Sequence, residues 1–260
     1  MKLTPGIRIR LITAILFATA ISVSRVDARA AVSELNHELY RELHRGPQQS
    51  KIQSAEPTPE TLACYERLKK VAEFVPTTTP AEPAQCAVEG LVRLERVRMS
   101  DQTKVTIIPP ATLRCGTAEA FAQWIRDDIG PVAAQSLGQI SALSGVGSYE
   151  CRGRNGTPSS KLSEHAKANA IDVGIIKLRI GRPIMLTDAL APVEFREKIR
   201  KLACSRFTTV LGPGSDAYHN DHIHLDLIER AGGYRICQWD ISEPLASAAI
   251  PLPRPRPFKR

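Results

Sequence analysis

The sequence predicts an α+β protein, a small mixed or antiparallel sheet with flanking helices, cross-linked by disulfides. Three observations carry that expectation. Between residues 58 and 240, short apolar runs of strand length are mixed with stretches of helical periodicity, without the regular alternation of a doubly wound sheet. All six cysteines lie in this region and none forms a C-x-x-C pair, which favours three disulfides over a zinc ribbon or a thioredoxin-type redox site. The length of 260 residues suits one domain with appendages, at about 100–200 residues per domain.

Residues 1–30 read as an export signal. Lys2, Arg8 and Arg10 precede an apolar run from Leu11 to Val23, and Ala28 and Ala30 form an A-x-A pattern with cleavage after Ala30. The alternative, an uncleaved anchor, is disfavoured because this run is short of the ~20 residues that span a bilayer. Residues 31–57 form a separate segment. Leu35, Leu39 and Leu43 stand four apart behind Ser33, as in a short amphipathic helix, and a polar linker with Pro47 and Pro57 follows.

The main domain spans 58–240. Its first helix is expected to open with Thr58 as cap and Pro59 at the first helical position, to carry Leu62, Leu68 and Val71, and to end by Pro76 and Pro80. A short strand at 105–108 should stop at Pro109 and Pro110. A helix behind Thr117 carries Phe121, Trp124, Ile125 and Ile129 at the 3.6-residue period. Further strands are expected at 140–143, 171–178, 208–211 and 223–227, with a helix at 193–204 after Pro192. The disulfide connectivity is open from sequence, with Cys64 to Cys86 suggested by proximity alone. The final segment, 241–260, ends in PLPRPRPFKR and reads as extended and exposed.

Charge excludes one obvious function class. The net charge is +8. Lys2, Arg8, Arg10, Arg25 and Arg29 against Asp27, together with Arg254, Arg256, Lys259 and Arg260 at the other end, account for all of it, so residues 31–250 balance. The folded part has no basic footprint for nucleic acid. A mean hydropathy of -0.17 excludes a polytopic membrane protein. The basic tail suits peripheral contact with an anionic envelope surface.

The chemistry concentrates in two segments, SEHAKANAID (163–172) and YHNDHIHLD (218–226), which together hold four of the six histidines. In a strand, side chains two apart share a face, so His222 and His224 present their imidazoles together. His165 and Asp172 can join them if the first sits in a loop and the second at the head of a strand. Histidines with one carboxylate make a catalytic zinc set that leaves a position for water. For the later segment alone, a surface histidine tract is the bland alternative. No HExxH helix site is present, and Ser163 lacks the G-x-S-x-G elbow of a serine hydrolase.

With CGTAEA, SYECR, SEHAKANAID, VLGPG and HNDHIHLD in order, the chain from about Cys64 to Cys237 resembles the bacterial extensin-like C-terminal domain family. Through the last motifs it is similar to zinc D,D-peptidases, whose pattern is S-x-H-x-x-G-x-A-x-D, and to penicillin-insensitive murein endopeptidases. The resemblance implies Zn(2+) held by His165, Asp172 and His224, with His222 and His219 beside the metal and Arg152 holding substrate. It also implies a D,D-peptidase-like fold and a periplasmic or cell-envelope protein acting on peptide bonds of peptidoglycan or another wall polymer. Two departures stand out: Ala168 replaces the motif's glycine, and no Glu-x-x-His supplies the usual base. His222 is therefore the favoured base, with Asp221 as a substitute or, like Asp226, a supporting partner. The competing expectation is a non-catalytic, zinc-stabilised cell-envelope binding or structural protein, and the alternative location is extracellular or, with an uncleaved signal, membrane-anchored.

Overall fold

The computed structural model describes residues 56–79, 83–157, 161–188 and 191–241. The export signal, the 33–45 helix, most of the linker and the Pro/Arg tail lie outside the described residues.

Helix α1 (Pro59–Val71) opens as its sequence dictates. The Thr61 amide donates to Thr58 Oγ1 at 3.2 Å, while Pro59 occupies a position that needs no N–H. The helix buries Cys64, Tyr65 and Leu68, but Leu62, expected in the core, is 51% exposed. Pro76 does not terminate this helix. The chain passes straight from Val71 into strand β1 (Ala72–Thr77), and a proline is tolerated there because β1 is an edge strand.

Strands β2 (Leu91–Arg98) and β3 (Lys104–Arg114) pair antiparallel. The expected stop at Pro109 and Pro110 does not occur. After Thr106 the chain leaves β2, Ile107 and Ile108 pair in parallel with β4 (Ile140–Ser144), and pairing with β2 resumes at Ala111. The prolines, which cannot donate to a ladder, occupy the interruption. Helix α2 (Cys115–Gln123) runs through a π-helical turn (Trp124–Ile129) into α3 (Gly130–Ser136). All four predicted apolar positions are buried. Thr117 is not the cap, because the helix starts two residues earlier; its buried hydroxyl instead donates to Asn169 Oδ1 at 3.0 Å.

The remaining elements are β5 (Ala170–Val173), β6 (Ile175–Leu178), β7 (Ile184–Met185), α4 (Val193–Arg206), β8 (Thr209–Leu211), β9 (Ile223–Asp226) and β10 (Ile236–Gln238). They build two mixed sheets where the sequence predicted one: β1-β2-β3-β4-β6-β7 and β10-β8-β9-β5. The strand expected over 171–178 is two strands in different sheets, divided at Gly174. One apolar core nevertheless joins them. Trp124 stacks on Phe121 at 6.0 Å and meets Phe207 edge-on at 6.1 Å, tying α2 to the end of α4. No helix among the described residues is long and apolar enough to cross a membrane.

The cysteines pair Cys64–Cys115, Cys86–Cys151 and Cys204–Cys237, which corrects the proximity pairing of Cys64 with Cys86. The helix carrying Cys64 packs on the start of α2, whereas Cys86 lies against the 148–152 segment, where Tyr149 also donates its hydroxyl to the Cys86 carbonyl at 3.0 Å. Replacing both Cys86 and Cys151 by Ala should lower unfolding free energy by about 2–5 kcal/mol; urea titration of the oxidised pair-deleted and native proteins measures it.

Candidate metal centre

Strands β5 and β9 pair antiparallel with Asp172 opposite His224. Residues opposite one another project to the same face, with Cβ atoms about 4.5–5.5 Å apart, so register alone sets a carboxylate beside an imidazole. His165 arrives from a one-turn 3-10 helix (His165–Lys167) just before β5. That turn is braced by the buried Glu164, which accepts from Lys167 Nζ and Asn169 Nδ2, each at 2.7 Å. It closes on Ala168 at φ +52°. The Ala168 amide donates to the His165 carbonyl at 2.9 Å and its carbonyl accepts from the Arg114 amide at 2.8 Å. The departure from glycine seen in the sequence thus falls at a left-handed position, which costs an alanine about 1–2 kcal/mol.

Three ligand atoms converge. His165 Nε2 lies 3.1 Å from His224 Nδ1 and 3.2 Å from Asp172 Oδ1, and His224 Nδ1 lies 2.9 Å from the same Oδ1. Among the described residues this is a group of metal-binding side chains whose donor atoms all fall within 4.8 Å of one another. Neighbouring groups select the nitrogen that each histidine offers. His165 Nδ1 is 2.7 Å from the Ser148 carbonyl, to which it can only donate, so its Nε2 lone pair faces inward. His224 Nε2 donates to Asp226 Oδ2 at 3.2 Å, which leaves Nδ1 inward. Electron-rich atoms packed this closely need a shared cation. Ligands about 2.0–2.1 Å from a tetrahedral zinc stand about 3.3 Å apart, so the donor set fits that ion in chemistry and in spacing.

Electrostatics agree. Burial pushes the Asp172 carboxyl up, but the adjacent His165 and His224 imidazoles outweigh it and hold the group well below the usual carboxylate range. Burial pushes the His224 imidazole down, yet its bonds to Asp172 and Asp226 lift it to about 9. Gly147 makes room for the carboxylate: its backbone bridges that of Asp172, and a Cβ there would come within 3.1 Å of Oδ2.

The other expected residues gather around this centre to different degrees. His222 Nε2 stands 3.7 Å from Asp172 Oδ1, while its Nδ1 lies 2.8 Å from Asp221 Oδ1. Asp221 itself faces solvent behind His222, its side chain 82% exposed. The His219 ring is 5.3 Å from that of His222 and 5.5 Å from that of His224. Its Nδ1 donates to Asp216 Oδ1 at 2.7 Å, and burial lowers its basicity. Asp216 escaped the sequence reading; the only signal was its position three before His219 in the turn DAYH. Arg152 lines the same cleft of about 470 Å³ as the histidines, with Nε fixed by Glu150 Oε2 at 2.6 Å.

Fold and site together define an α+β, disulfide-bonded protein with a two-histidine, one-carboxylate centre in an open cleft. A family model described as "Extensin-like protein C-terminus" matches residues 62–238, and the chain belongs to that family. No curated protein and no solved structure matches it.

The centre makes stability depend on pH. In metal-free protein, His224 has its pKa raised from 6.5 to about 9, so its contribution is full below pH 6.5 and is lost as pH rises through about 9. Asp172 is depressed below 3.8, so its contribution holds above that value and is lost as pH falls. Melting temperature of chelator-treated protein should therefore decline between pH 7 and 10. Zinc affinity should climb over the same interval, because the metal must displace the His224 proton.

Proposed function

We propose that the chain is an exported, zinc-dependent hydrolase that cleaves peptide (amide) bonds of cell-wall peptidoglycan, in the manner of the zinc D,D-peptidases and murein endopeptidases its motifs resemble. The observation that carries the reading is the convergence of His165 Nε2, Asp172 Oδ1 and His224 Nδ1 in the lining of an open cleft. Three disulfides among the described residues agree with export to an oxidising compartment such as the periplasm.

His165, Asp172 and His224 would hold the ion. When bound, zinc lowers the pKa of a water towards about 7 and polarises a carbonyl. The chain supplies the rest. Asp221 at His222 Nδ1 fixes the tautomer whose Nε2 lone pair is free, so His222 takes a proton at Nε2 and returns it to the leaving amine. Asp216 orients His219 in the same way at the back of the site. Arg152, its Nε spent on Glu150, keeps its terminal nitrogens for a substrate carboxylate. The competing reading, a closed structural zinc site, needs a fourth protein ligand. His222 is the nearest candidate, and it stands outside the three-atom group. The Pro/Arg tail serves attachment to an anionic envelope surface rather than catalysis.

Purified peptidoglycan incubated with oxidised protein lacking residues 1–30 should release peptide fragments whose masses name the bond. Chelation should abolish release and zinc restore it. His224→Ala should lose both metal and activity, whereas His222→Ala should keep stoichiometric zinc and lose about 10²–10⁴ in kcat. A zinc-loaded native protein that releases nothing from any wall preparation would overturn the hydrolase reading in favour of a non-catalytic envelope protein.

A further inference from the structure

The three-atom centre sits midway across a wider ladder. The four-stranded sheet runs β10-β8-β9-β5, and on the edge of β5 away from His224 the backbone of Gly147 bridges Asp172. Three strand spacings of about 4.8 Å separate Gly147 from β8, a width of about 14 Å. An arginine stands on each side. Arg152 belongs to the segment after Gly147, and its carbonyl accepts from the Ser163 amide at 3.1 Å, beside the turn that carries His165. Arg230 follows β9 and is tied to the start of β8, Nη1 donating to the Thr208 carbonyl at 3.1 Å and Nη2 to Thr209 Oγ1 at 2.6 Å. Both arginines line the cleft that holds the centre.

Arg230 is a charge held by neutral groups. Among the described residues its hydrogen-bond partners are both uncharged oxygens. The carboxylates of the cleft are engaged elsewhere: Asp172 and Asp226 by His224, Asp216 by His219, and Glu164 by Lys167 and Asn169. A guanidinium has five N–H donors, so with two committed to β8 three remain. The side chain is half-buried and already immobilised at both terminal nitrogens. It therefore loses little freedom on meeting a carboxylate, whose geometry a fixed guanidinium matches and to which its hydrogen bonds are charge-assisted.

We propose that Arg230 is a second carboxylate-binding residue, which holds an acidic group of the substrate on the β8 side of the centre while Arg152 holds one on the other side. This rests on the reading of the cleft as a site for wall peptides and narrows it: the peptide that fits carries a free carboxylate on each side of the scissile amide. An extended chain rises about 3.3 Å per residue, so about four residues cover the width between the two arginines' strands. Gripped at both ends, such a chain lies across His165, Asp172 and His224. A peptide whose acidic groups are amidated on one side forfeits one of the two grips.

Three synthetic cross-linked stem peptides test the proposal: one with free carboxylates on both sides of the cross-link, and two in which the carboxylates of one side or the other are amidated. Affinities are read by calorimetric titration of zinc-loaded, oxidised protein carrying His222→Ala, so that cleavage does not interfere. The doubly acidic peptide should bind about 10–100-fold more tightly than either half-amidated one, the span of a hydrogen bond to a charged group. Adding Arg230→Met should erase its advantage over one half-amidated peptide and leave its advantage over the other; Arg152→Met should do the reverse. Should Arg230→Met fail to fold, Arg230→Gln, which keeps a donor for β8 without the charge, takes its place. Equal weakening of all three peptides marks a merely structural bond to β8 and overturns the proposal. A parent protein without acid preference, or a folded Arg230 variant with the preference intact, overturns it too. If no peptide binds at all, the peptidoglycan reading falls together with this one. Acid-selective binding, with none of the three peptides cut by native protein, overturns the hydrolase reading alone and leaves the Arg230 site standing.

Discussion

Three electron-rich atoms at mutual distances of 2.9–3.2 Å are the constraint around which this domain is arranged. Left without a cation, two imidazole lone pairs and a carboxylate oxygen would repel one another in a site screened from water. In the metal-free protein the cation is a proton, which is why His224 binds one so tightly. A divalent ion meets the same demand with more charge. Each surrounding bond, Ser148 on His165 and Asp226 on His224, orients a histidine so that the repulsive arrangement is the one presented.

The scaffold brings these atoms together from separate parts of the chain. Cross-strand register sets Asp172 against His224, while the turn through Ala168 swings His165 over the end of β5. The Cys86–Cys151 bond and the Tyr149 hydroxyl pin the segment whose Ser148 carbonyl grips His165 and whose Arg152 reaches the cleft. Loss of this disulfide would therefore act on the site as well as on stability. The left-handed alanine belongs to the same economy, since a backbone strain of about 1–2 kcal/mol is tolerated where hydrogen bonds on both sides over-determine the turn.

Charge is handled with equal specificity. Asp172, Asp216, Asp221 and Asp226 each lie against a histidine, His224 being shared between Asp172 and Asp226. Among the described residues, the carboxylates at His219, His222 and His224 orient those rings. The difference among them lies in access. His165 and His224 turn their free nitrogens towards each other, whereas His222 stands half-exposed at the rim with its Nε2 on the side of Asp172.

The sequence by itself determined the ingredients: the ligand types, the two segments that carry them, the capped helix at Thr58, the buried stripe of Phe121 to Ile129 and the presence of disulfides. These are local properties, set by cap chemistry, side-chain period and residue type. Tertiary structure decided what local pattern cannot encode. Division of the 171–178 run between two sheets, passage of β3 through Pro109 and Pro110, and the cysteine pairing all depend on which distant segment lies alongside. Asp216 was invisible for the same reason. A hydrogen-bond partner is chosen by proximity in space, and only the turn after Leu211 placed Asp216 where His219 could be held.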